Sequence, residues 1–276
     1  MIKTLRELAK SIPFVRQIVV RSRTLIQNAK QMLRTNTTDA LEQMVRQAAE
    51  CVDQPVFVKV GANDGLTGDP FGRSLLVNQN WKGLLIEPVP YCCDRLKRIY
   101  SDKLRFTIDQ SAVGSAAGMT KFYCVAESAK ESLLDLPDWY DQLGSFDRQH
   151  IVKHLDGKLE PFIVAIDVAV QPLKDILLSH NVSHVNLLHI DTEGFDLVVL
   201  KTLDLRSKRP DWIMIEHKHL SASDRSEMLS ILRSAQYDVF DTGADFFAIW
   251  REASNGLSPR GRVGRVFRKT GLPLAQ

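Results

Sequence analysis

VFVKVGANDG, residues 56–65, joins a strand of apolar residues to a turn with a glycine at each end. Four of its first five residues are apolar and β-branched or aromatic, interrupted only by Lys59, the pattern of a strand covered on both faces in a parallel sheet. Gly61 and Gly65 allow a sharp reversal and a close approach of backbone to a ligand. In an open parallel sheet such a ligand lies beyond the carboxyl ends of the strands.

Working outward, apolar runs at residues 83–86, 104–108, 185–190 and 212–215 alternate with helical patterns, and residues 237–240 and 246–250 read as an antiparallel pair. These seven strands predict a Rossmann-like α/β sheet with helices on both faces. The domain spans residues 39–252, and Asp39 with Glu42 forms a capping-box pattern before a helix whose Leu41, Met44, Val45 and Ala48 face the core. Between residues 126 and 161 the alternation is lost in a polar stretch containing Pro137 and Trp139, which reads as an insertion.

The ends differ from this body. Residues 1–38 repeat apolar positions at helical spacing around Pro13, and residues 1–34 carry eight basic side chains against Glu7 alone. They form an amphipathic helical arm, packed on the domain or on a second copy, or drawn to an anionic membrane surface. Residues 253–276 combine Gly, Pro and Arg without periodicity and read as a flexible basic tail. With a net charge of +3 and basic ends, the middle is acidic, which argues against nucleic acid as a partner of the catalytic face. No uncharged apolar run reaches the roughly eighteen residues of a spanning helix. The adjacent Cys92 and Cys93, with Cys51 and Cys124, show no zinc spacing and suit a reducing, cytoplasmic setting, peripheral to a membrane if the arm binds one.

The strand ends carry the chemistry. GLLIEP, residues 83–88, places Glu87 about twenty residues after the glycine turn, where a carboxylate accepts the ribose hydroxyls of an adenosine cofactor. The G-x-G-x-x-G order that receives a pyrophosphate is absent, so S-adenosylmethionine fits better than a dinucleotide. The third strand leads to Asp109, Ser111, Ala112 and Val113, at the height of the adenine. LLHIDTEGFD, residues 187–196, gathers His189, Asp191, Glu193 and Asp196, and the next strand ends in Glu216, His217 and His219.

The GANDG turn, the IEP strand end, the AVG segment at residues 112–114 and above all IDTEGFD resemble the FkbM-type methyltransferases over residues 56–250. The resemblance implies a class I methyltransferase fold, S-adenosylmethionine as donor and O-methylation of a sugar, glycan or specialised metabolite. It also implies that Gly61, Asn63, Asp64 and Gly65 line the methionine end, Glu87 the ribose, Asp109 to Val113 the adenine, and Asp191 and Glu193 the reacting centre. Lys59 departs from the acid that many such enzymes hold two positions before the first glycine. It turns away, pairs with Glu87 or Asp191, or receives the donor's carboxylate.

His217, His219, Asp191 and Glu193 are available to take the acceptor proton, and His217, the nearest to its strand's end, is the expected base. A divalent cation held by Asp191, Glu193 and Glu216 is the alternative, less favoured because helix capping and cofactor contact explain the same acids, and no residue is assigned to a metal. A non-catalytic, cofactor-binding scaffold docked to a membrane-bound glycan-assembly complex is a further alternative. The sequence leaves the acceptor and the oligomeric state open.

Overall fold

The computed structural model describes residues 39–50, 52–101, 104–251 and 272–275. The expected arm and most of the expected tail lie outside the described residues. In chain order the elements are α1 (39–50), β1 (Val56–Val60), α2 (Gly72–Val77), β2 (Lys82–Ile86), α3 (Pro90–Ile99), β3 (Phe106–Asp109), β4 (Ala112–Val113), β5 (Gly118–Val125) and α4 (Ala129–Ser132). There follow α5 (Arg148–Val152), β6 (Ile163–Gln171), α6 (Leu173–Ser179), β7 (Leu187–Ile190), α7 (Asp196–Lys201), β8 (Trp212–Glu216), α8 (Ala222–Ser234), β9 (Tyr237–Asp241) and β10 (Asp245–Trp250).

The expected seven-stranded sheet is present, in the order β3-β2-β1-β7-β8-β10-β9. Five strands run parallel, and β10 runs antiparallel to both β8 and β9. Strand order reverses direction between β1 and β7, so a crevice opens there at the carboxyl edge. The pleat of β1 sends Phe57 to one core layer with Leu85, Trp212 and Met214. Val58 and Val60 go to the other, with Ile86, Ile190 and Ile215. Burial on both sides accounts for the unbroken apolar runs from which the strands were predicted.

Helix α1 presents Leu41, Met44, Val45 and Ala48 to the first layer, all buried as expected. Asp39 is already helical and so is not the cap of this helix. Trp81, fully buried, donates its Nε1–H to the Val45 carbonyl at 3.0 Å and so ties α1 to the start of β2. The third strand begins at Phe106, two residues later than predicted, because Leu104 is 92% exposed and has no core to face.

A second sheet, β4-β6-β5, was not anticipated. β5 and β6 form an antiparallel hairpin, and the expected insertion is the connection between them. That connection buries Ala129, Leu136, Tyr140, Leu143, Ile151 and Leu159 in a small core of its own. Residues 272–275 correct the expectation of a flexible tail over their length: Leu274 bridges Phe240, and the Ala275 N–H donates to Val239 at 2.9 Å. They thereby cover the open edge of β9. Among the described residues no helix is long and apolar enough to cross a membrane.

Trp81→Phe keeps most of the buried ring and removes the hydrogen bond to Val45, whose carbonyl, inside the helix, keeps its intrahelical partner. Its urea midpoint should fall by the equivalent of about 0.5–1.5 kcal/mol with an unchanged slope; an unaltered midpoint would show that α1 is held by apolar contact alone.

Candidate functional site

A cleft opens at the carboxyl ends of β1, β2 and β7, where an open parallel sheet places its ligand. Its floor is the turn after β1. Gly61 has φ +75°, and a Cβ there would lie 1.9 Å from the Asp191 carbonyl oxygen, so only glycine lets the β1 and β7 loops touch. Gly65 serves packing instead. Its carbonyl accepts from the Tyr100 hydroxyl at 2.7 Å, and a Cβ would strike that ring at 2.5 Å.

Glu87 reaches the cleft from the end of β2, buried, with Oε2 accepting from the Asn63 N–H at 2.8 Å and Oε1 from the Val89 N–H at 2.9 Å. Burial outweighs these hydrogen bonds and pushes its pKa up to about 7. The other amide groups of the turn are satisfied by the chain itself. Asp64 accepts from the N–H groups of Leu66 and Thr67 at 2.8 and 2.7 Å, and Asp69 from those of Phe71 and Gly72 at 2.6 and 2.8 Å. These bonds commit the amides of Leu66, Thr67, Phe71 and Gly72, in keeping with the missing glycine pattern.

Lys59 pairs with Asp69, an acid the sequence reading did not consider, and not with Glu87 or Asp191. Its Nζ also lies 3.3 Å from Nδ1 of His189, its register partner across the β1–β7 pair. Burial opposes the ammonium, but Asp69 and Asp191 keep it charged, and Lys59 in turn holds the Asp69 carboxyl low. Burial, then the Lys59 charge, pushes His189 down to about 3, so it is a neutral acceptor.

Of the other expected residues, Gly61, Asn63, Glu87, Ser111, Ala112, Val113, Asp191 and Glu193 border the cleft. Asp64 and Gly65 build the turn behind it. Asp109 is turned aside, accepting from the Ser111 hydroxyl and, at 2.6 Å, from His180. His217 is not at the cleft: its ring packs on Phe246 at 4.2 Å between centroids, its Nε2 lies 3.4 Å from Asp241, and burial lowers its pKa. β8 ends at Glu216, and His217 has turned toward β9, so nearness to the strand end did not aim its side chain inward. The three-acid cation set is not formed either, since Asp191 belongs to neither group of converging ligand atoms among the described residues.

What the sequence reading missed comes from the insertion. Asp141, Gln142, Ser145 and Phe146 line the cleft. Gln142 donates to the Thr67 carbonyl at 2.6 Å, and Arg95 pairs with Asp141, so the insertion is tied to the donor side. Beyond Phe146, which meets Phe195 at 4.8 Å between centroids, His150 and His219 each bring Nε2 to 3.1 Å from the same Glu193 oxygen. The four-residue spacing of His150 and His154 was the signal available in the sequence.

The model of the methyltransferase FkbM domain matches residues 59–239. No curated protein matches the chain. Among solved structures, a methyltransferase FkbM from Methylobacillus flagellatus KT is 16% identical with a TM-score of 0.45, the match covering 72% of this chain and 44% of that one. This chain therefore spans less than half the length of that protein. A precorrin-6y C5,15-methyltransferase from Geobacter metallireducens GS-15 is 11% identical, TM-score 0.37, over 78% of this chain and 87% of that one. Aeropyrum pernix fibrillarin, solved with natively bound S-adenosyl-L-methionine, is 10% identical, TM-score 0.35, over 71% and 65%.

Lys59→Met leaves the Asp69 charge buried without its partner and should cost about 3–5 kcal/mol in denaturant unfolding. Adding Asp69→Asn removes the charge while keeping an oxygen for the Phe71 and Gly72 amides, so the double variant should be the more stable of the two. The reverse order would mean that Asp69 is balanced by another cation.

Proposed function

This chain belongs to the FkbM methyltransferase family, and from that premise we propose that it transfers a methyl group from S-adenosylmethionine to a hydroxyl of a sugar, glycan or specialised metabolite. The observation that carries the donor assignment is Glu87, a buried carboxylate pinned by two backbone amides with the cleft in front of it. Such an acceptor suits a ribose diol. Ser111, Ala112 and Val113 form the wall expected to meet the adenine. At the other end Thr192 borders the cleft with a buried hydroxyl that has no hydrogen-bond partner among the described residues, a group that an amino-acid moiety would satisfy.

When bound, the donor supplies an electrophilic methyl on a sulfonium that leaves as a neutral thioether. What remains to the protein is alignment, exclusion of water and removal of the acceptor's proton. Phe146 and Phe195 give the acceptor side an apolar wall that keeps water out. Glu193 borders the cleft there, held low, against its burial, first by the hydrogen bond from His150. Burial lowers the pKa of His219, which leaves a neutral imidazole beside that carboxylate to take the hydroxyl proton, in the place expected of His217.

Calorimetry tests the donor assignment. Binding to the ribose favours the ionised Glu87, so donor affinity should rise with pH through about 7, with proton release, and be weakest where Glu87 is protonated. Glu87→Gln should flatten that dependence and cost about 1.5–3 kcal/mol above it. A protein that does not bind the donor, or binds it equally in Glu87→Gln, overturns the assignment. Hydroxyl acceptance is read by mass spectrometry of products from labelled donor and cell extract; a methyl group on nitrogen or carbon would replace it.

A further inference from the structure

Beside the cleft, His150 and His154 project from one turn of the insertion, Glu193 from the loop after β7, and Glu216 and His219 from the end of β8 and just beyond. His150, His154 and Glu193 bring ligand atoms within 4.8 Å of one another, and so do Glu193, Glu216 and His219, with Glu193 common to both. The three imidazoles face each other at 4.8, 5.2 and 5.8 Å between ring centroids. We propose that the two groups, which share Glu193 but do not converge as one set, close on a single divalent transition metal of the zinc class, with His150, His154, His219 and Glu193 as ligands and Glu216 behind them.

Three observations bear on this. Ligand atoms about 2.0–2.1 Å from a tetrahedral ion lie about 3.3 Å apart; the Nε2 atoms of His150 and His219 lie 3.1 Å from the shared Glu193 oxygen. The His154 Nδ1–H donates to the His150 carbonyl at 2.8 Å, which fixes the tautomer and leaves Nε2 with its lone pair, as a supporting hydrogen bond does for metal-binding histidines. Glu216, only 8% exposed, has an oxygen with no hydrogen-bond partner among the described residues. Of the ammonium groups that act on these acids, Lys59 is committed to Asp69 and Lys218 is exposed, while Asp191, Asp196 and Asp245 add carboxylates around Glu216. A dication satisfies both the orphaned oxygen and the surplus of negative charge.

Imidazole selects zinc, cobalt or nickel over magnesium and calcium, which prefer all-oxygen shells. This differs from a cation held by acids alone. At this place the ion would meet the acceptor and lower the pKa of its hydroxyl in place of a free imidazole, a consequence that rests on the hydroxyl reading. Metal binding itself does not.

The full chain, stripped with chelator, is titrated with cobalt(II) and followed by its visible absorption. One equivalent should give the intense bands of a four- or five-coordinate site, displaced by zinc and not by magnesium, and zinc should raise the melting temperature. His150→Ala and His219→Ala should weaken binding by roughly a hundredfold or more, beyond the loss from removing a supporting hydrogen bond. His184→Ala, at the opposite sheet edge on Asp211, should not. The milder His154→Gln serves if an alanine variant does not fold. Absence of the bands, equal competition by magnesium, or affinity unchanged in the cluster variants overturns the site. Donor affinity on the same samples keeps the two readings apart: a chain that binds donor but no zinc refutes only the metal.

Discussion

The cleft depends on a contact where no side chain fits. The Asp191 carbonyl lies so close to Gly61 that a methyl group there would overlap it, and this approach fixes how the loops after β1 and β7 share one space. Parallel pairing brings Val60 opposite Ile190, and the Asp191 N–H continues the ladder to the Val60 carbonyl at 3.1 Å before the chains part. The crevice expected at a reversal of strand order is thus anchored by backbone, and side chains only line it. Beneath the floor, Lys59, Asp69 and His189 form a closed buried group. Removing two charges from water is costly, and Asp69 offsets this by also accepting from the first amides of α2, so one carboxylate sets both the lysine and the loop's return.

The parallel strands were legible because burial on both faces writes itself as unbroken apolar sequence, and the glycine turn and Glu87 because strand ends put them at the crevice of an open parallel sheet. The second sheet was harder to read. β5 is exposed over its first four residues and carries Lys121, and only its second half, with Phe122, Cys124 and Val125, is buried, too short an apolar run to announce a strand. β6 does alternate, with Val168 and Val170 inward, but its pairing spans the whole insertion, a separation that periodicity does not encode. His217 shows another limit. A strand's alternation predicts which face a residue takes only while the strand lasts, and this one ends at Glu216. The Asp69 partner of Lys59 was invisible for a similar reason: a loop of no periodicity carries it back across the strand end.

The site divides by the origin of its parts. The half around Glu87 is built from strand ends and one tight turn, whose positions follow from the ladder. The other half is contributed by the insertion, through Asp141 to Phe146 and then, beside the cleft, His150 and His154, with a small core to hold it. Under the proposed reaction such a division would let one donor site serve many acceptors, because changes in the insertion leave the ladder untouched. The two halves are nevertheless coupled, since Asn63, whose N–H holds Glu87, also donates through Nδ2 to the Asp141 carbonyl at 3.3 Å. A displacement of the insertion would therefore be felt at the Glu87 carboxylate.

Charge gives that coupling its sign. Glu87, Asp196 and Asp245 are each pushed up to about 7 chiefly by burial, and Glu216 to about 10 by burial and then by Asp191. A carboxyl raised in the fold costs stability once ionised: nothing is lost below its unfolded pKa, the loss grows as pH rises toward the folded value, and it is complete above it. At neutral pH Glu216 therefore keeps its proton and the other three are only partly ionised, so the edge holds charge that a cation can draw out. Any cationic ligand there, a sulfonium, an ammonium or a metal ion, favours their ionised form, so binding and stability draw on the same carboxylates. The excess of acid at one edge of the sheet is then no accident of solubility, because the same groups spread over the outer surface would be hydrated and would offer a cation almost nothing.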